Sequence, residues 1–157
     1  LLVERAKRVN NLCGISCNPL STMTYRQVCD IREAYLESPV IAIKMVLNCY
    51  KFVTESKVFN ASSKDVMYFW SWLHEQLLGI KTAEDNLSDP DPLMEEAGAG
   101  DLAKYGHINV VDGLAGGDMT KWDGIYAMKY EEVYTKLLKD KETEQIRERY
   151  AELNKIK

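Results

Sequence analysis

The chain has 157 residues, 46% of them hydrophobic and 28% charged, with a net charge of −4. That length suits one domain, long enough to bury a core without disulfide or metal staples. Residues 1–60 carry eight Lys/Arg against five Asp/Glu, residues 61–120 three against eleven, and residues 121–157 nine against eight, so no block offers the basic face that autonomous nucleic-acid binding needs.

In chain order, residues 1–12 read as a short helical or irregular arm without the basic, apolar and cleavage regions of a signal peptide. Residues 13–23 contain Gly14, Pro19, Ser21 and Thr22, the composition of a loop. Thr24 is a predicted N-cap, with Gln27 three residues on as its capping-box partner. The helix it opens ends near Glu37. Ser38 and Pro39 then mark a second start, because proline at the first helical position gives up only an amide that is orphaned anyway. The following segment, to about Glu55, is apolar around much of its circumference and reads as a buried central helix. Lys44, Asn48 and Lys51 interrupt its longest apolar stretch, which falls short of the roughly 18–20 residues of a membrane span.

A serine at 62 or 63 starts a predicted helix over 64–78, with a bulky face of Val66, Met67, Phe69, Trp70, Leu73 and Leu77 and with Gly79 as its C-terminal cap. Residues 81–101 hold acids, two prolines and two glycines, and read as an extended acidic loop or arm. Residues 101–114 suit a short helix, although Ile108, Asn109, Val110 and Val111 are the place where a strand is least surprising. Gly116 and Gly117 break the chain, and Asp118 caps helical turns carrying Trp122, Ile125 and Met128. From Tyr130 onward Val133, Tyr134, Leu137, Leu138, Ile146, Tyr150 and Leu153 keep helical spacing for about 25 residues. The expected fold is mainly α, an irregular helical bundle with a long C-terminal helix and an extended acidic loop. Its parts are residues 1–80, the acidic stretch 81–101, and residues 102–157, within one domain overall.

Chemical signatures are incomplete. Cys13 and Cys17 have the spacing of one half of a zinc site, but Cys29, Cys49, His74 and His107 form no second tight pair. With no export signal, the four cysteines are expected as reduced thiols. His74-Glu75 lacks the second histidine one turn later, where Leu78 stands. Asp85, Asp89, Asp91, Glu95 and Glu96 fail the register of a calcium loop, because Leu87 and Pro90 interrupt it. Neither glycine cluster carries the Lys-Ser/Thr of a phosphate loop, and no serine sits in a Gly-x-Ser-x-Gly elbow. These residues therefore predict no catalytic group, no cofactor and no metal.

Residues 114–123 read Leu-Ala-Gly-Gly-Asp-Met-Thr-Lys-Trp-Asp, and residues 130–137 read Tyr-Glu-Glu-Val-Tyr-Thr-Lys-Leu. Together they resemble segments of small structural and assembly proteins of tailed bacteriophages, in which a Gly-Gly-Asp turn precedes a short helix and then a helix with an aromatic-aliphatic stripe. The resemblance spans about 25 residues. It implies a non-enzymatic virion or assembly component, oligomeric, in the virion or the host cytoplasm, with other proteins as partners. Trp122, Tyr126, Tyr130 and Tyr134 stand at helical spacing and are the candidate interaction residues, since aromatic side chains anchor interfaces disproportionately. The same stripe also suits a core, because burying such a face is what stabilises a helix. Two other functions stay open: a small intracellular enzyme using Cys13, Cys17, His74 or His107, and a nucleic-acid accessory protein using the basic residues of 1–60.

Overall fold

The computed structural model describes residues 9–87 and 92–155, apart from the side chain of Met94. The expected arm lies for the most part outside these residues, as does the stretch of the acidic segment that holds Asp89, Pro90 and Asp91. Among the described residues the fold is mainly α, with eight α-helices and one small hairpin.

The hairpin pairs β1 (Asn11–Leu12) with β2 (Ile15–Ser16), where a loop is predicted. Cys13 and Gly14 make its two-residue turn, both at positive φ (56° and 76°), the geometry a tight hairpin demands. A 3-10 turn at Leu20–Thr22 follows. Then α1 (Tyr25–Glu37) begins as predicted. Gln27 N donates to Thr24 Oγ1 at 3.2 Å, and Thr24 N donates to Gln27 Oε1 at 3.0 Å. Two orphan amides of the first turn are thereby satisfied.

α2 (Pro39–Asn48) starts at the predicted proline but is shorter than the 39–55 helix expected. The Asn48 side chain explains the stop: its Oδ1 accepts from Val53 N at 2.6 Å and organises a turn in place of continued helix. Tyr50 and Phe52, expected in the buried face, are exposed. Ala42, Ile43, Val46 and Leu47 do bury fully, packing α2 against α1, α3 (Glu55–Phe59) and α4 (Ser63–Leu87).

α4 (Ser63–Leu87) runs through Gly79 where a cap is predicted, and takes in the first part of the stretch expected as an acidic loop. A mid-helix glycine costs about 1 kcal/mol relative to alanine. Burial of Ile80 just beyond it, and an ion pair from Glu84, outweigh that penalty. α5 (Pro92–Glu96) and a 3-10 segment at Ala99–Tyr105 make most of the remainder of 81–101 helical as well.

α6 (His107–Ala115) occupies the site where a strand is least surprising. Strand geometry there has no neighbouring strand to satisfy its backbone, whereas a helix satisfies itself. Gly116 and Gly117 end α6 at φ 65° and 78°. Thr120 N and Oγ1 both donate to Asp118 Oδ1, capping a 3-10 turn that leads into α7 (Trp122–Ala127).

α8 (Tyr130–Lys155) is the predicted long C-terminal helix. Its first residue is clasped to the start of α1: Tyr130 N donates to Met23 O at 2.9 Å, and Tyr25 N donates to Met128 O at 2.8 Å. Thr24 and Lys129 sit opposite one another between these bonds as an isolated antiparallel bridge. One continuous core joins the hairpin, α1, α2, α4, the middle of α6 and the start of α8, with Phe69, Leu20, Ile31 and Leu47 fully buried in it. No helix among the described residues is long and apolar enough to cross a membrane.

Candidate functional site

A cleft of about 570 Å3 opens between α1, the end of α4, the start of α6 and the first half of α8. That volume falls within the roughly 300–1,000 Å3 of ligand-binding pockets. Each helix contributes by its own periodicity. Tyr25, Cys29, Arg32, Glu33 and Leu36 line one face of α1, and Tyr130, Val133, Tyr134 and Leu137 line one face of α8. Glu84 and Leu87 come from the last turn of α4, and His107 and Val110 from the first turn of α6.

The floor is polar and internally paired. Arg32 Nη1 donates to Glu84 Oε1 at 2.9 Å, and the Tyr130 hydroxyl donates to that same oxygen at 2.9 Å. Three helices are thus joined through one carboxylate oxygen. Tyr25 and Tyr130 stack nearly parallel with centroids 6.1 Å apart, and Tyr130 continues the stack to Tyr134 at 6.5 Å. At the mouth, His107 Nδ1 lies 3.6 Å from Glu33 Oε1.

Burial sets the chemistry of the floor. It pushes the Cys29 thiol up to about 11, with Asp30, Glu84 and Glu33 adding to the shift and Arg32 opposing it. The Tyr25 and Tyr130 phenols are also raised, first by burial. Glu84 reinforces both shifts through its charge, and for Tyr130 through the hydrogen bond as well. A thiol so raised stays protonated at neutral pH, and the thiolate is the reactive form. The floor holds shape and hydrogen bonds without offering an activated nucleophile.

The aromatic row expected to meet a partner turns mostly inward. Tyr126 and Tyr130 are in the core, while Trp122 and Tyr134 are half-buried. Trp122 Nε1 is enclosed with no acceptor among the described residues. Arg26 stacks its guanidinium 4.0 Å from the Tyr126 ring centre and so covers the outer side of that ring. These faces hold α7 and the start of α8 against α1.

The other singled-out residues stay apart. Cys13 is at the hairpin turn, and its thiol points to Lys57 O at 3.7 Å. Cys17 is buried and also raised to about 11 by desolvation. His74, on the exposed side of α4, shares a 2.6 Å hydrogen bond with the Tyr35 hydroxyl. All four cysteines are free, and among the described residues no three His, Cys, Asp or Glu side chains gather as a metal site.

A second surface was legible only in part. Among the described residues, α8 is tied to the end of α4 by Lys141 Nζ, which donates to Asn86 O at 3.0 Å. Beyond it, Ile146, Tyr150 and Leu153 are 62%, 67% and 65% exposed, at steps of four and three residues along one side of the helix. No protein family, no curated protein and no solved structure matches this chain.

Proposed function

We propose that this protein is a non-enzymatic assembly component acting through helical protein–protein contacts, as in the small structural and assembly proteins of tailed bacteriophages that residues 114–137 resemble. The observation that carries the reading is the outer half of α8, on which Ile146, Tyr150 and Leu153 are about two-thirds exposed among the described residues. A surface helix normally turns such a stripe toward its own core. Steps of four and three residues are those of a helix-pairing seam, and Glu142 and Arg147 flank it at the positions that face each other across a parallel pair. The raised thiol and phenols of the cleft support a binding role over a catalytic one.

Two turns of seam bury less than the roughly 1,200–2,000 Å2 of a stable interface, so self-association through α8 is weak and rises with concentration. Light scattering coupled to size exclusion tests this. The expected result is a mass that climbs with loading and returns to monomer in an Ile146→Asp/Tyr150→Asp variant. A chain that stays monomeric at millimolar concentration, and that no virion or assembly protein draws into a complex, overturns the proposal.

A further inference from the structure

The cleft beside α8 carries an unbalanced charge at its mouth. Arg32 is engaged internally by Glu84, whose Oε1 also holds the Tyr130 hydroxyl, so the guanidinium's charge is met within the floor. Glu33 stands otherwise. Its side chain is 69% exposed, and its neighbour His107, with Nδ1 at 3.6 Å, pairs with it as a charge only when the imidazole is protonated. Among the side chains that line the cleft, two carboxylates, Glu33 and Glu84, stand against the single guanidinium of Arg32. A cleft with one sign of charge and low-dielectric walls concentrates ions of the opposite sign and turns away its own. Beneath the mouth, Val110, Val133 and Leu137 supply an apolar wall, and Leu36, 87% exposed, forms an apolar rim.

We infer that this cleft is a binding site for a small organic cation, an amine on an aromatic or aliphatic body, with its charged nitrogen at Glu33 and its body against Val110, Val133 and Leu137. The volume suits a complete small molecule and is far more than one inserted side chain needs. A carboxylate or phosphate ligand meets Glu33 and Glu84 with Arg32 already committed, and is disfavoured.

Three probes of similar shape and different charge test the inference by methyl-detected NMR on the full chain: phenethylamine, phenethyl alcohol and phenylacetate. Phenethylamine is expected to move the methyl resonances of Val110, Val133 and Leu137, and to bind at least about tenfold more tightly than phenylacetate. Glu33 is exposed, so Glu33→Gln keeps the fold. It is expected to weaken phenethylamine about two- to fivefold and to leave phenethyl alcohol unchanged. Val110→Phe, which narrows the apolar wall, is expected to weaken all three probes. Equal binding of phenylacetate and phenethylamine overturns the inference, as does an equal loss of amine and alcohol in Glu33→Gln. Failure of every probe to move these methyls at millimolar concentration overturns it too.

Discussion

The two long helices, α4 and α8, are nearly equal in length and opposite in use. α4 spends Phe69, Trp72, Leu73 and Ile80 on the core along most of its length. α8 buries only Tyr130 and Val133, both in its first turn, and carries its outer half into solvent. Isolated helices of about 12–15 residues are marginal in water, so the outer part of α8 depends on its own salt bridges and on the anchored first turn. Arg147 pairs with Glu144 on that part, and Lys136 with Asp140 on the inner half, at exposures where each contributes only a few tenths of a kcal/mol. One helix builds the molecule, and the other extends it.

Substitutions separate the two uses. The largest effect is expected at the centre of the core: Phe69→Ala removes a fully buried ring and should lower unfolding stability by about 3–5 kcal/mol in denaturant melts. A loss under about 1 kcal/mol shows that α4 is not the scaffold helix described. Alkali should come next. Cys17 and Cys29 hold their protons to about 11, against an ordinary thiol value of 9.0. The unfolded chain releases those protons first, so stability is fully present below pH 9.0 and falls as pH rises toward about 11, by about 1 kcal/mol per pH unit for each thiol. Melts of a Cys17→Ala/Cys29→Ala variant should lose most of that slope between those limits, leaving what the raised phenols contribute above the ordinary tyrosine range.

Glu84→Ala probes the place where the two helices meet. It strips the partner from both Arg32 and the Tyr130 hydroxyl and should cost about 1–2 kcal/mol, less than a fully buried pair because Arg32 is partly solvated. Tyr130→Phe alone should cost less, and a double-mutant cycle should show the two losses to be non-additive. Thr24→Ala removes the N-cap side chain of α1 at about 1 kcal/mol. The smallest effect on folding belongs to the outer helix: Ile146→Asp and Tyr150→Asp should shift stability by under about 0.5 kcal/mol while abolishing self-association. A melting loss comparable to that of Phe69→Ala means the stripe is packed, and the contrast between the helices disappears.

What the sequence revealed was what neighbouring residues decide together. The Thr24–Gln27 box, the start at Pro39, the Gly116–Gly117 break and the cap at Asp118 each rest on contacts within a few residues, and each is present. Misreadings arose where distant packing overrules a local signal. Gly79 reads as a stop until Ile80 has a core to enter, and residues 108–111 read as a possible strand until no strand lies beside them. The apolar residues of 49–55 read as one helix with 39–48 because nothing local reveals that Asn48 will turn its amide oxygen onto Val53 N. The cleft was out of reach for the same reason. Arg32 and Glu84 are 52 positions apart, and Glu84 and Tyr130 are 46 apart. His107 stands out in the sequence as a candidate side chain, but the four helices that make a site around it do not. The tyrosines of α7 and α8 were visible as a stripe, while their inward direction follows from the clasp that fixes where α8 begins.

That clasp also sets an order of events during synthesis. The bonds from Tyr25 N to Met128 O and from Tyr130 N to Met23 O join segments more than 100 residues apart. Closing so long a loop carries an entropic cost that local helix formation does not. Helices α1 to α4 can assemble around their own short-range contacts while the chain is still emerging from the ribosome. The edge of α1 stays unfinished until residues 128–130 arrive. The Tyr25 side of the core therefore stays open until these residues have been made, and the start of α8 is what seals it.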